Sequence, residues 1–388
     1  MDSRSALGRY GVLAVLGLAA AEVIIMISPF AGFFYASVRF EPLLGLLSRS
    51  PLTAWLDGFF LNHSVVTASV LLEWQRKIGI YLFGLGLAGF FVSAFQVYGN
   101  KLSKRGVATG LLYRYVRHPQ YLCLGLAGWG LLTAWPRFLL LGIWVTMLFL
   151  YAGLARFEER RLAERFGEGY RSFAATRGAF LPGSPIHTLF EATFARLRPR
   201  PLAWAAAYAY SLALAFLLAF GLYGYTRASA AILYQPEQKT VVVSVWPQPE
   251  EWLGKVYQAA LGDPEVRQRL AEAQAGQPVV ATILPPRYGM KGMYYKRPPT
   301  EDASQNSSER GPLLGVDPAT SDEPVEVVFS RAQKPSQDKL SLAEVLDPGV
   351  RLTPLVVAEV LPVTGEVTGT HVPLPQNAWG PNVVMPLL

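Results

Sequence analysis

Long apolar segments constrain this chain more than any other feature of its sequence. A membrane-spanning helix needs about 20 mostly apolar residues. Segments of this kind occur at residues 10–38, 78–98, 137–157 and 202–226. A shorter apolar segment, 120–135, is followed by Pro136 and Arg137, and this pattern predicts two antiparallel helices joined by a tight turn. The sequence therefore predicts a multi-pass α-helical membrane domain with about five transmembrane helices.

The segment 50–74 is long enough to span a membrane, but it contains Asp57, Asn62 and His63. Polar groups at bilayer depth have to be buried in protein or lie beside water. We therefore interpret the segment as interfacial or re-entrant, within an N-terminal membrane section of residues 1–76. Its three polar residues form either an interfacial patch or part of a substrate entrance.

Charge is distributed unevenly along the chain. Residues 1–227 contain 22 Lys+Arg and 10 Asp+Glu, whereas residues 228–388 contain 13 and 18, so the net charge of +7 divides into +12 and −5. The positive charge belongs to the membrane section and forms no stripe interleaved with aromatic residues, so no nucleic-acid partner is predicted. The single cysteine, Cys123, excludes disulfide bonds and cysteine-ligated metal clusters within the chain.

Short basic loops indicate the orientation of the helices, because Lys and Arg near helix ends favour the cytoplasm. Residues 99–119 and 156–200 are rich in these cations and are expected to be cytoplasmic. The last transmembrane helix, within 201–227, then carries residues 228–388 into the periplasm. The sequence predicts a protein of the bacterial inner (plasma) membrane whose core occupies residues 77–200.

The second part of the chain, residues 228–388, has the pattern of a small α+β domain outside the membrane. Segments rich in β-branched residues predict strands at 240–246, 279–284, 325–330 and 352–361. A helix over 250–274 is predicted to break near Asp263 and Pro264, and the polar, proline-rich residues 297–324 predict a flexible loop. An extracytoplasmic partner remains one interpretation of this domain.

Two polar clusters flank the predicted hairpin. Before it stands the segment 113–121, YRYVRHPQY, and after it stand Glu158 and Glu159. An antiparallel hairpin returns the chain to the side that it left, so both clusters are expected on the same face. Pro119 suits the first turn of a helix, and His118 would then lie beside backbone N–H groups that can receive an anion.

At these residues the chain resembles a known family. The segment GLLYRYVRHPQYL, followed beyond the hairpin by EERRLAERFGEGYRSF and then by Pro182, is similar to the signature of integral-membrane methyltransferases. That family includes isoprenylcysteine carboxyl methyltransferase and phospholipid N-methyltransferases. The resemblance covers residues 77–182. It implies S-adenosylmethionine as the cofactor and a lipophilic methyl acceptor that arrives from the bilayer, among the membrane lipids.

Matched position by position, the resemblance implies a set of site residues. The implied cofactor-binding residues are Tyr113, Arg117, His118, Tyr121 and Glu159, with Glu158 in the same shell. The cofactor carries a carboxylate, an ammonium, a sulfonium and ribose hydroxyls, which suit a basic end, helix N–H donors and a carboxylate. Two catalytic roles are assigned: Arg114 would hold a carboxyl acceptor ionised, or Glu158 would take the proton of an amine acceptor. No metal ligand is predicted.

Two positions depart from the family pattern, which usually has proline at Leu112 and glycine at Cys123. The side chain of Cys123 adds bulk beside the expected cofactor. A glycine-rich segment, 84–89 or GLGLAG, has the letters of a dinucleotide-binding loop, but no strand precedes it. Close packing of two membrane helices through small residues is the preferred interpretation.

The main prediction is a methyltransferase that uses S-adenosylmethionine and acts on a lipophilic small molecule or lipid through a carboxyl or amine acceptor. Some membrane sterol reductases resemble the same core, so an NAD(P)H-dependent membrane reductase is one alternative. The other is a non-catalytic membrane anchor for an outer binding domain formed by residues 228–388.

Overall fold

The fold is known from a computed structural model. It describes residues 24–34, 46–47, 50, 52–61, 69–103, 106–273, 277–286, 318–334 and 339–373. Asn62, His63 and most of the predicted loop 297–324 lie outside these residues. The described part of the chain is mainly helical, with a small β-sheet near its end.

The helices follow the apolar pattern of the sequence. In chain order they are α1 (Ile24–Phe34), α2 (Val70–Leu102), α3 (Pro119–Ala134), α4 (Phe138–Phe166), α5 (Glu168–Ala175), α6 (Pro185–Phe194), α7 (Arg200–Ala228), α8 (Glu250–Gly262) and α9 (Pro264–Ala273). By length and composition, α2, α4 and α7 are able to cross a membrane. Helix α3 has 16 residues, whereas a membrane-spanning helix needs about 20. Among the described residues there are thus three candidate spans, and the figure of about five stays a prediction.

The predicted hairpin is formed by α3 and α4, which pack antiparallel. Trp129 packs against Trp144 with ring centroids 5.6 Å apart, and the earlier Tyr121 stacks on the later Tyr151 at 4.8 Å. Trp144 also donates a hydrogen bond to the Gly125 carbonyl at 3.0 Å. The two ends of the hairpin that carry the polar motifs therefore lie side by side.

Glycine brings α2 and α3 together. A methyl group on Gly86 would lie 2.5 Å from the backbone nitrogen of Ala127 and 2.6 Å from the Cys123 carbonyl oxygen, and one on Gly89 would lie 2.7 Å from the Cys123 sulfur. The backbones therefore approach too closely for a larger residue at Gly86. The interpretation of GLGLAG as a helix-packing segment is confirmed.

A six-stranded sheet forms the end of the described chain. Its strands are β1 (Ala231–Gln235), β2 (Thr240–Ser244), β3 (Val279–Leu284), β4 (Val325–Gln333), β5 (Arg351–Val360) and β6 (Val367–His371). They lie in sequence order, and all neighbours are antiparallel except β2 and β3. Parallel strands need a crossover connection, which α8 and α9 provide. The sequence predicts the four central strands and misses the edge strands β1 and β6.

The helical crossover covers one face of the sheet. Leu253 and Tyr257 of α8 are buried with Val242, Ala281 and Phe329 of the strands in one apolar cluster. The break predicted near Asp263 and Pro264 separates α8 from α9. The Asp263 carboxylate accepts hydrogen bonds from the backbone N–H groups of Glu265 and Val266 at 2.9 and 3.1 Å, so it caps α9.

Two compact units divide the chain, and each is drawn from separated segments. The first comprises Met1–Phe40, Gln75–Trp135 and Leu140–Leu218. The second comprises Glu41–Trp74, Pro136–Leu139 and Ala219–Leu388. The division of the chain into sections 1–76, 77–200, 201–227 and 228–388 stays a prediction.

Asp57 lies in the second unit, in a short 3₁₀ helix, Ala54–Asp57. Its side chain is 3% exposed and forms an ion pair with Arg137, whose guanidinium also lies 4.4 Å from the centroid of the Phe59 ring. Phe60 donates a backbone hydrogen bond to the Pro136 carbonyl at 2.9 Å, which ties the segment to the start of α4. Asp57 is thus a buried, paired carboxylate, because Arg137 supplies the charge that its burial requires. The interpretation of the segment 50–74 as interfacial or re-entrant stays a prediction.

Candidate active site

Backbone hydrogen bonds fix the chain that leads into α3. The N–H groups of Arg117 and His118 donate to the carbonyls of Gly178 and Ala179, both at 2.9 Å. Pro119 is the first residue of α3, as predicted, and His118 precedes it with non-helical dihedral angles, φ −125° and ψ 60°. The motif is therefore braced by the segment that follows α5 and by the start of a helix.

His118 lies between the two glutamates. Its Nε2 is 3.0 Å from Glu159 Oε1, its Nδ1 is 3.5 Å from Glu158 Oε2, and its side chain is 2% exposed. Burial on its own lowers the pKa of the imidazole, but the hydrogen bonds and charges of the two carboxylates outweigh burial and raise the pKa above 6.5. The geometry therefore favours an imidazolium held by two acids.

Arg117 adds a second cation on the same side. Its Nε is 3.2 Å from Glu159 Oε1, and its Nη1 donates to the Ala174 carbonyl at 3.4 Å. Glu159 therefore contacts both cations of the RHP motif through one oxygen. Glu158 is more accessible, with its side chain 39% exposed against 24% for Glu159.

Aromatic rings form a second layer. The Tyr121 hydroxyl donates to Glu158, and its ring stacks between the rings of His118 and Tyr151, with centroids 5.8 and 4.8 Å away. Tyr113 is buried and donates its hydroxyl to Gln120 Oε1 at 2.8 Å. Burial, followed by the charge of Glu158, raises the pKa of Tyr113, so this phenol stays protonated.

The chain beyond the hairpin closes another side of the cluster. Tyr170 on α5 is buried, and burial with the nearby Glu159 charge raises its pKa to about 12. Phe180 packs on His118 with ring centroids 6.0 Å apart. Among the described residues, the buried hydroxyl of Tyr170 has no hydrogen-bond partner. A buried hydroxyl of this kind suits a ligand that carries its own polar groups.

The predicted site residues fall into three groups. Brought together by direct contacts are Arg117, His118, Tyr121, Glu158 and Glu159. Tyr113 contacts Gln120 of α3 instead of a glutamate. Arg114 is exposed, and its carbonyl accepts a 3.1 Å hydrogen bond from Arg177 Nε. The roles assigned to all seven residues stay predictions.

Sequence reasoning missed four residues that build this cluster: Gln120, Tyr151, Tyr170 and Phe180. Gln120 and Tyr170 stand within the motifs RHPQY and FGEGY. Their position as polar residues inside those motifs was the available signal that they belong to the cluster. Tyr151 and Phe180 carry no such signal, because only the packing of α4 and the return of the chain after α5 bring them to His118.

The donor set fits S-adenosylmethionine. Arg117 and the backbone at the start of α3 suit the carboxylate of that cofactor, and the two glutamates suit its ammonium and ribose hydroxyls. Among the described residues no group of His, Cys, Asp and Glu is arranged to hold a metal ion.

By length and composition, α2, α4 and α7 suit a membrane protein, and the cluster of charged and aromatic side chains lies at one end of its helical hairpin. Comparison with known proteins adds a relative, the methanethiol S-methyltransferase of Pseudomonas deceptionensis, to which this chain is 29% identical over 157 residues. The alignment covers 38% of this chain and 56% of the relative, so the chain spans little more than half the length of the relative. No family model and no solved structure matches the chain. The similarity supports a methyltransferase function in general.

Proposed function

We propose that the protein is an integral-membrane methyltransferase that uses S-adenosylmethionine and methylates a lipophilic small molecule or lipid. The observation that carries the proposal is the contact of Arg117 and His118 with Glu158 and Glu159 across the hairpin. A positively charged membrane anchor needs no acids paired with its cations on the same face. A cofactor that carries charges of both signs needs acids as well as cations around it.

When bound, S-adenosylmethionine supplies an activated methyl group on a sulfonium. The residues of this chain bind, orient and shield it. Arg117 and the N–H groups that open α3 hold the anionic end, and Glu159 holds hydroxyl or ammonium groups. The packed rings of Tyr121, Tyr151 and Phe180 keep water from one side of the cluster, which favours an in-line transfer between two aligned groups.

Glu158 is the proposed general base. Its side chain is the more accessible of the pair, and one of its oxygens already accepts the Tyr121 hydroxyl. A thiol or an amine loses a proton when it is methylated, and Glu158 can receive that proton. The relative is named for a thiol acceptor, so a thiol joins the carboxyl and amine groups as candidate acceptors. Arg114, which is exposed, would hold a carboxyl acceptor ionised.

We place the proposed enzyme in a bacterial inner membrane, with about five spans, a cytoplasmic active site and a periplasmic domain at residues 228–388. The candidate spans α2, α4 and α7 support a membrane location, and the basic residues around the site support its cytoplasmic orientation.

Calorimetry tests the cofactor. The full chain in nanodiscs is titrated with S-adenosylhomocysteine, the product form of the proposed cofactor. We expect binding, and we expect Glu159→Gln and His118→Ala to weaken it at least about tenfold, because each removes a charged contact. Glu164→Gln is the matched control, because Glu164 is an exposed acid further along α4 and should bind as the wild type does.

Two results would count against the proposal. If a folded, monodisperse preparation gives no binding heat on titration with S-adenosylhomocysteine, the proposal that the protein uses S-adenosylmethionine is wrong. Binding of NADPH by the same preparation, lost in Glu159→Gln, would favour the reductase.

Mass spectrometry of lipid extracts and small thiols from a deletion strain, which seeks species lighter by one methyl group, then identifies the acceptor.

A further inference from the structure

Within the part of the chain that the structure describes, protein covers only one edge of the apolar face of helix α6. Ile186, Leu189, Phe190 and Phe194 recur at the spacing of one helix face. The Phe190 ring stacks on Trp204 of α7 with centroids 4.9 Å apart, and the Phe194 ring packs against Tyr210 at 6.0 Å. The covered edge therefore faces the first turns of a candidate membrane span.

The rest of that face is open. The side chains of Ile186 and Leu189 are 55% and 68% exposed. They lie beside a span whose first turns carry Trp204, Tyr208 and Tyr210, and aromatic residues of this kind concentrate at membrane–water interfaces. An exposed apolar stripe at that level is consistent with lipid as its covering.

Cations follow the stripe directly. Arg196 and Arg198 are exposed, and among the described residues neither forms an ion pair with a carboxylate. The nearby acid, Glu191, is already engaged by Arg200 at 2.6 Å, with His187 at 3.8 Å. Two arginines therefore remain available to a phosphate group, which guanidinium binds with good geometry.

Helix α6 is also coupled to the candidate site through Arg156. The Arg156 guanidinium lies 3.6 Å from the centroid of the Trp204 ring and 5.9 Å from that of Phe190. Its charge acts on Glu159, which lies on the same face of α4. A membrane surface that holds α6 would thus also hold the aromatic platform under Arg156.

We propose that α6 lies in the membrane surface and that Arg196 and Arg198 bind the phosphate of an anionic phospholipid. The occupant is a lipid leaflet, because an amphipathic helix with an open apolar stripe and adjacent cations matches both parts of an anionic lipid, its acyl chains and its phosphate. The proposal is independent of methyl transfer and survives if the cofactor proposal fails.

Spin labels test the depth of α6. On a Cys123→Ala background, Leu189→Cys and Thr188→Cys are labelled in nanodiscs, because these neighbours stand on the apolar and polar faces of the same helix. We expect the Leu189 label to be relaxed by oxygen more than by an aqueous nickel complex, and the Thr188 label to show the reverse. Equal access of the nickel complex to both labels would overturn the membrane placement.

Native mass spectrometry tests the headgroup site. The full chain is released from nanodiscs of phosphatidylcholine mixed with phosphatidylglycerol, and retained lipids are counted. We expect phosphatidylglycerol to be retained and the double variant Arg196→Gln/Arg198→Gln to lose at least about half of it. Arg171→Gln is the control, since Arg171 is an exposed arginine on α5. Equal retention by the double variant and the wild type, or equal loss in the control, would overturn the assignment.

Discussion

His118 shows why the site needs both ends of the hairpin. A buried imidazolium is tolerated only when acids compensate its charge, and Glu158 and Glu159 lie 3.5 and 3.0 Å from its two ring nitrogens. Its backbone N–H is bound separately, by the Ala179 carbonyl. Ring and backbone are thus fixed by different parts of the chain, which leaves the imidazole little freedom to turn.

Stability should depend on pH through this residue. Because the folded pKa of His118 is raised above its usual value of 6.5, its contribution is complete below that pH and is lost as the pH rises through the folded pKa. As the pH rises from 6.5 through the folded pKa of His118, we expect the Tm of the wild type to fall more than the Tm of His118→Gln, whose side chain does not titrate. Parallel slopes in the two proteins, measured by thermal unfolding in detergent, would contradict a charged His118.

The residues of the candidate site were predictable where they stand in the two motifs that flank the hairpin. Arg117, His118 and Tyr121 have fixed spacing at a helix start, and Glu158 and Glu159 return on the partner helix. The spacing of residues in a motif does not determine which of their side chains face the cluster. The Tyr113 hydroxyl therefore goes to Gln120, and the Arg114 side chain is exposed.

At the scale of elements, α2 and α3 depend on specific glycines. Gly84 and Gly86 stand in the same GLGLAG segment, yet a methyl group on Gly84 meets no atom within 4 Å, whereas one on Gly86 meets the backbone of α3 at 2.5 Å. Helices in a bilayer associate through close packing, since apolar side chains gain little by leaving lipid. The contact at Gly86 therefore contributes directly to the association of the two helices.

Replacing these glycines by alanine separates packing from helix propensity. We expect Gly86→Ala to destabilise the protein by about 1–3 kcal/mol, because the backbones have to move apart. Gly84→Ala should be neutral or slightly stabilising, since alanine is the better helix former. Thermal unfolding of both variants in the same detergent measures the difference. Equal effects of the two substitutions would contradict the close approach.

The elements themselves were predictable where the pattern is strong. The long apolar helices, the four central strands and the break at Asp263 follow from hydrophobic period, β-branched content and a proline preceded by a capping residue. The edge strands β1 and β6 have five residues each and are partly exposed. They are strands because β2 and β5 offer unpaired backbone groups to them, which is a property of the sheet and not of their own residues.

At the scale of the whole molecule, the second compact unit depends on a buried ion pair. Asp57 and Arg137 are far apart in sequence, and burial raises the pKa of Asp57 and lowers that of Arg137 against the attraction of each for the other. Desolvation makes such a pair costly to bury, and removal of one partner costs more because it leaves the other charge buried and unpaired.

A double-mutant cycle measures this dependence. Asp57→Ala or Arg137→Ala should each destabilise the protein by about 3–5 kcal/mol, because each leaves one buried charge unpaired. The double variant should lose less than the sum of the single losses. Unfolding in detergent supplies the values, with the exposed pair Glu251 and Lys255 as a control cycle of small coupling. Additive losses at the buried pair would show that the two residues act independently.

The second compact unit is formed by segments that are far apart in the sequence. This separation sets the order in which its parts can assemble during synthesis. Residues 41–74 and 136–139 leave the ribosome long before the six strands, although all of them belong to one compact body. Pro348 and Gly349, which lie against Gly58 and Ala54, are made after four of those strands. The early segment therefore waits, without these final neighbours, until synthesis has passed β4. During biosynthesis Asp57 depends on Arg137 first and on the sheet domain only at the end.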